Sequence, residues 1–382
     1  MQLPSQPLHG RALDTARAAF ADGVALPSAL LPESVARSWA RSREIGLRPW
    51  DAPSYEPLAL ADRASGADVH RQVRKCVADE IEQLWRAFGG DDWTIFFVDP
   101  RGAIVHARRS PLCREAVLQP IEAGRRIQER DIGTTAPSCV MHDGAEIVVA
   151  GPQHYLREFE RVFCLAVPLF GVDGEPLGAL DITGVGRRDP AMLGPHFRMA
   201  ALSVQQRLFA GLRHCHLLQL QHDPRWLDTP MAGVLAVEDE GMLRAASRPA
   251  RHMLGLPEDG PLPAVDLRRL FGDAPSALRR RLLRPARTPL RVACADGSHL
   301  WVRCVRAPLG TPGAAFVPNV PSVEAAAEAG AASLREQALE TTLRALRDNE
   351  GNVAATARQL RISRTTLYAK LREMRQAGLI PR

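Results

Sequence analysis

The 382-residue chain is 46% hydrophobic and 24% charged, an ordinary globular composition with length for two or three domains. No run of 18 apolar residues occurs, the N-terminus has neither an apolar core nor a small-residue cleavage site, and the seven cysteines (76, 113, 139, 164, 215, 294, 304) lack CxxC spacing. These features exclude a membrane-spanning helix, a signal peptide, a disulfide framework and a zinc site, and predict a cytoplasmic protein with no metal, no cofactor and no membrane partner. The net charge of +6 is uneven: residues 351–382 hold seven Arg/Lys against one acid, and the rest sums to about zero. Only Lys75 and Lys370 are lysines, a skew that reads as GC-rich coding bias, so position says more about a polyanion partner than arginine abundance does.

Residues 1–65 read as a helical lead-in broken by Pro27, Pro32, Pro49, Pro53 and Pro57. An amphipathic helix follows over 68–88, with Val69, Val73, Val77, Ile81, Leu84 and Phe88 at three- and four-residue spacing. Strands are predicted at 93–98, 103–107, 145–150, 161–170 and 176–183, with turns at Asp99-Pro100-Arg101-Gly102 and Asp173-Gly174. This pattern predicts an antiparallel sheet flanked by helices, within an α+β domain spanning 66–189.

A connecting helix is predicted over 190–224, its pattern running to 222. Leu193, Phe197, Ala201, Val204, Leu208, Gly211/Leu212 and Cys215 form a stripe that either packs on the sheet or seams two chains together. A second sheet domain is predicted over 225–318, with strands at 232–238, 242–246, 289–294 and 299–305 and a short helix at 247–254. A linker rich in Ala, Pro and Gly follows at 319–332.

Residues 333–382 read as three helices, at about 333–347, 352–359 and 364–376. Gly351 ends the first, Asn352 caps the second and Ser363 caps the third after the turn Arg361-Ile362-Ser363. A short second helix, a three-residue turn and a capped third helix make a helix-turn-helix, whose last helix offers its N-terminal residues to base edges. Arg364, Thr365, Thr366 and Tyr368 suit that role, and Lys370 and Arg372 suit phosphate. Double-stranded DNA is the partner implied, with a homodimer meeting two half-sites; the plainer reading is a helical bundle with a solvated basic face.

The stretch Gly351–Leu371, GN-x4-A-x2-L-x-IS-R-x-TLY-x-KL, resembles the Fis-family helix-turn-helix that ends many bacterial activators working with the alternative sigma factor. The resemblance implies DNA-facing positions at Asn352, Ser363, Arg364, Thr366, Tyr368 and Lys370, and dimerisation through the first helix. Residues 33–49, 130–155 and 164–184 resemble the sensory part of the acetoin-catabolism-type activators, which implies a GAF domain after the helical lead-in. Residues 231–256 resemble the start of a PAS domain. Full-length members carry an ATPase domain with a Gly-Lys-Ser/Thr step, and this chain has no such step: Lys75 precedes Cys76 and Lys370 precedes Leu371. The expectation is a ligand-responsive regulator acting by promoter occupancy without ATP hydrolysis, with RNA polymerase as a possible partner and no enzymatic activity. Alternatives are a redox sensor using a GAF cysteine, or a docking protein with vestigial DNA binding.

GAF and PAS folds enclose small-molecule pockets. The candidate effector contacts are Trp93, Phe97, Thr134, Thr135, His142, His154, Tyr155 and Cys164, with His106 on a strand. Cys139 with His142, or Cys164 with His154, is the only nucleophile–base pairing suggested. His214 and His216 flank Cys215 but diverge on a helix, which argues against a metal there.

Overall fold

A computed structural model describes residues 6–27, 29–58, 67–258, 260–271, 276–294 and 296–308, together with 349, 352, 353 and 356. The chain divides into two units, Met1–Pro318 and Asn319–Arg382.

The first unit opens with α1 (Gln6–Ala21) and α2 (Glu33–Glu44), followed by the long helix α3 (Ala67–Phe88). A five-stranded antiparallel sheet comes next, from β1 (Trp93–Val98), β2 (Ile104–Arg109), β3 (Ile147–Ala150), β4 (Val162–Phe170) and β5 (Pro176–Val185), in spatial order β2-β1-β5-β4-β3. Successive strand residues point to opposite faces. Ile95 and Phe97 on β1, Phe163 and Leu165 on β4, and Leu180 and Ile182 on β5 share one face and form a core with Val77, Ile81 and Phe197 of the helices. That face is covered by α3 and by α6 (Pro190–Ala210), whose start is set by the Asp189 cap and Pro190.

The opposite face carries Phe96, Val98, Cys164, Ala166 and Ala179. Its cover is built from the segment between β2 and β4, which includes the short helices α4 (Glu129–Ile132) and α5 (Ala136–Asp143). The lead-in belongs to the same core: Leu13, Phe20, Val35 and Trp39 are all buried in it. The Trp39 indole donates to the Gln153 carbonyl at 2.8 Å and stands edge-on to Tyr155. Arg17, fully buried, donates to the His154 carbonyl at 3.1 Å and pairs with Asp14 and Glu160. The lead-in is thus a second layer over the sheet.

Two expectations change here. The helix predicted over 190–224 stops at Ala210, and His216–Gln221 is a strand, β6. A left-handed turn at His214 (φ +58°) separates the two. Leu217, Leu218 and Leu220 prolong the apolar pattern past the helix end, which hides the switch of period. The stripe Leu193, Phe197, Ala201, Val204 and Leu208 is spent on the chain's own sheet, so it is not a free seam for a second chain.

The second sheet uses β6 as its centre, in the order β8-β7-β6-β10-β9, with β7 (Gly233–Val237), β8 (Leu243–Ala246), β9 (Leu290–Ala293) and β10 (His299–Arg306). This domain therefore begins at β6, ahead of the expected boundary at 225. Helices α7 (Arg248–Met253), α8 (Leu267–Leu270) and α9 (Ser276–Leu282) lie between β8 and β9, and their apolar residues share a core with one face of the sheet. The other face packs on Phe209, near the end of α6. Arg251, fully buried, spends its guanidinium on the carbonyls of Ala246, Pro257 and Gly260 and, across the domain boundary, of Asp173.

Gly178 shows how tightly the first sheet is closed. Its φ is +145°, and a Cβ there would lie 2.0 Å from the Val98 carbonyl oxygen. Gly178→Ala is expected to cost about 2–4 kcal/mol, read as a lowered melting temperature in a thermal unfolding experiment.

Candidate functional site: a small cavity over the sheet

The cover does not fill the space above β1, β4 and β5 completely. A cavity of about 30 Å³ remains, floored by Phe96, Cys164 and Thr183 and walled by Leu118, Ile121, Ile132, Pro137 and Phe159. Such a volume holds one or two waters or a very small molecule; it is far below a drug-sized pocket. Thr135 and His154 add polar atoms from the cover, and Tyr55 reaches in from the lead-in. The wall at Thr135–Pro137 is held by local capping. The Thr135 side chain accepts from the Ser138 amide, Ser138 reciprocates, and Gly144 closes α5 in the left-handed conformation.

The polar groups form a line. His154 Nδ1 lies 3.0 Å from the Gly151 carbonyl, so that nitrogen donates, and Nε2 accepts from the Cys164 thiol at 3.4 Å. The Thr183 hydroxyl is 3.1 Å from Cys164 Sγ and also bonds Asp181 Oδ1. Burial drives the His154 imidazole down to about 4 and lifts the Cys164 thiol and the Asp181 carboxyl well above their usual ranges. Burial therefore disfavours charge along the whole line.

This arrangement is a poor nucleophile–base pair. Cys164 and His154 do meet, but as a protonated thiol and a neutral acceptor, and the thiolate is the reactive form. Cys139 is also buried, with its thiol pushed up by burial to about 11, while His142 is half exposed and faces Glu129 at 3.6 Å. The burial that keeps these thiols protonated weighs against the redox expectation. Among the described residues, no group of three or more His, Cys, Asp or Glu side chains could hold a metal.

Of the expected contacts, Thr135, His154 and Cys164 line the cavity. Trp93 and Phe97 do not: they lie on the helix-covered face, Trp93 against Phe163 and beneath the Arg188 guanidinium. All six residues of β1 are buried, so composition could not say which alternate set faces the cavity; Phe96 does. Thr134 is buried and accepts from Ser38 at 2.8 Å, and the Tyr155 hydroxyl donates to the Leu47 carbonyl at 3.1 Å, so both fasten the lead-in. His142 lines an outer groove of about 360 Å³ with Arg41, Glu129 and Arg130. His106 sits on β2 away from the cavity, its imidazole held down by burial. Sequence reading missed Tyr55, Phe96 and Thr183; a threonine within an apolar strand was the available signal.

In the second unit, Asn352 stands at a helix start: its carbonyl accepts from the Thr356 amide at 2.9 Å. Ser363, Arg364, Thr365, Thr366, Tyr368, Lys370 and Arg372 lie outside the described residues.

His154 makes acid stability testable. Below about pH 6.5 the unfolded imidazole takes up a proton, and the folded one does so only near pH 4. The folded state therefore loses stability as pH falls through this window, by up to about 3 kcal/mol from this residue. The raised carboxyls of Asp181 and Glu80 act in the opposite direction, so the comparison must be with a variant. Urea titrations at pH 7 and pH 4.5 should show a smaller acid loss in His154→Gln than in the parent chain.

The bacterial regulatory-protein Fis family matches residues 343–374, and the GAF domain family matches residues 72–209, so the GAF match extends through α6. A signal-transduction and transcriptional-control protein of Clostridium beijerinckii is 22% identical over 185 residues, covering 47% of this chain. The acetoin dehydrogenase operon transcriptional activator AcoR of Bacillus subtilis (strain 168) is 24% identical over 175 residues, covering 45% of this chain. The matched stretch spans only 29% of each relative's length. A chain of the E. coli DhaR(N)–DhaL complex aligns over 71% of this chain and 98% of its own, at 15% identity and a TM-score of 0.42. This chain thus carries a GAF domain and a Fis-type helix-turn-helix, and its relatives are transcriptional regulators of the AcoR kind.

Proposed function

We propose that this protein is a sequence-specific DNA-binding transcription regulator whose GAF domain responds to a small effector. The observation that carries the reading is the coexistence, in one chain, of a GAF domain and a Fis-type module in a strongly basic C-terminal segment, where residues 351–382 hold seven Arg/Lys against one acid. A basic recognition segment neutralises phosphates and so binds DNA at a salt-dependent affinity. The absence of a Gly-Lys-Ser/Thr step in the sequence supports action by promoter occupancy, through repression or recruitment of RNA polymerase, without ATP hydrolysis.

Thr135, His154 and Cys164 are the effector-facing residues in this reading, and the effector is small because the cavity is small. The second sheet domain, read as PAS-like, relays or steadies the response. Its contacts with the GAF domain run through Arg251 and the Asp173 turn, and through Phe209 of α6. The protein works as a homodimer in the cytoplasm, with two recognition helices on half-sites about one helical turn apart. Among the described residues, no helix is long and apolar enough to cross a membrane.

Two substitutions separate base reading from phosphate contact. Arg364→Ala should weaken binding to the preferred site by about 1–3 kcal/mol and relax its sequence preference. Lys370→Ala should weaken all sequences alike and reduce the salt slope by about one. Fluorescence-anisotropy titrations on specific and scrambled duplexes across several salt concentrations read both effects. Unchanged site preference in Arg364→Ala would remove that residue from base recognition.

A further inference from the structure

Positive charge gathers a second time in this chain, and there it is left unpaired. Residues 267–291 hold eight arginines against one acid, Asp273. Outside this segment and residues 351–382 the chain is net acidic, so a coding bias towards arginine does not account for the clustering. Elsewhere guanidiniums meet carboxylates: Arg41 pairs with Glu129, Arg126 with Asp131, Arg198 with Glu146 and Arg207 with Asp79. Arg268, Arg269, Arg280, Arg281, Arg284 and Arg287 are all exposed, and none of their side chains has an ion pair or hydrogen bond among the described residues.

The fold brings these arginines to one side of the second sheet domain. Leu267 and Leu270 of α8 and Leu282 of α9 are buried in one core, with Leu278 and Leu283 packed against it. The two helices touch, and both lie over the same face of the sheet with their arginines turned to solvent. The Leu283 amide donates to the Arg279 carbonyl at 3.1 Å and the Arg284 amide to the Arg281 carbonyl at 3.2 Å. These bonds carry the helical course past Leu282 and keep Arg280, Arg281 and Arg284 within about a turn of one another. Like charges at three- and four-residue spacing repel, and an anionic partner relieves that repulsion.

The composition of the patch narrows the partner. Among the described residues of 260–308 there is no large exposed hydrophobic side chain. A helix lying on a membrane needs an apolar face in the lipid, and a protein interface centres on aromatic or aliphatic anchors. Arginines without such anchors fit a phosphate backbone. The guanidinium fork grips phosphate oxygens, and each phosphate neutralised releases counterions whatever the base sequence.

We propose that α8, α9 and the turn after α9 form a second DNA contact, which holds the phosphate backbone without reading bases. The Fis-family match begins at residue 343 of the same chain, so a duplex held by that module is presented to the patch at high local concentration. The assignment rests on the reading of the protein as a DNA-binding regulator and adds a surface outside the helix-turn-helix.

The test titrates the full chain against a fluorescent duplex of arbitrary sequence, about 40 base pairs long, at salt from about 50 to 200 mM. The triple variant Arg280→Gln, Arg284→Gln, Arg287→Gln should bind at least about tenfold more weakly at about 100 mM salt. Its slope of log affinity against log salt should be shallower by about two to three. A control triple that removes the same charge elsewhere, Arg86→Gln, Arg114→Gln, Arg213→Gln, should stay within about threefold of the parent. All six positions are exposed, and thermal melts check that both variants fold.

An unchanged salt slope in the first triple would overturn the proposal. Equal losses in both triples would overturn it too, by reducing the effect to net charge. Capture of the parent on phosphatidylglycerol vesicles, lost in the first triple while the DNA slope stands, would overturn it in favour of a membrane surface. The two readings fail separately. If the helix-turn-helix does not bind DNA, Arg364→Ala combined with Lys370→Ala leaves affinity for the arbitrary duplex unchanged while the first triple still weakens it. If the patch does not bind DNA, the reverse holds.

Discussion

The first unit is governed by one constraint: both faces of its central sheet must be kept from water. Eight of the nine residues of β4 are buried, so neither side can be left open. An antiparallel sheet usually buries one face and wets the other. Here α3 and α6 cover one face with interlocking aliphatic and aromatic side chains. The other is covered by irregular chain between β2 and β4, which cannot fill space as regularly as two helices do. The cavity is what that difference leaves.

The irregular cover would be a weak element on its own, and the lead-in is what fixes it. Trp39, Arg17 and Ser38 bond to Gln153, His154 and Thr134, in the two stretches that also supply the cavity's polar wall. Arg41 pairs with Glu129 at 2.6 Å, and Glu129 opens α4. Anything that enlarges the cavity must therefore strain the seat of α1 and α2. Towards the second domain, Arg248 donates to the Gly144 carbonyl at the end of α5 and stacks over Phe170. The helix that walls the cavity thus touches both the lead-in and the second sheet domain, so a change in the wall has two routes outwards.

Much of this was legible in the sequence, and the failures have physical causes. Turn residues and alternation placed the strands within a residue or two, because Asp-Gly and Pro-Arg-Gly turns leave few registers. The helix at 190 was extended too far because Cys215, Leu217 and Leu218 continue its apolar pattern, and only the left-handed His214 breaks it. The face of β1 could not be chosen, because a strand buried on both sides has no polar alternate to orient it, and so Phe97 was expected where Phe96 stands. Tyr55 was invisible because its route to the cavity is long-range, from a proline-rich loop onto a distant sheet. His154, Thr135 and Cys164 were found because polar residues inside apolar stretches invite a functional reading. The helix-turn-helix was legible for another reason: its turn, caps and charge are all local.

The central claim is that the chain reads specific DNA. The most direct measurement incubates the purified full chain with fragmented DNA of its own genome at near-physiological salt and sequences the bound fraction. The account predicts a few sharp peaks that share an inverted repeat with half-sites about one helical turn apart. A bound fraction with the same read profile as the input would contradict it.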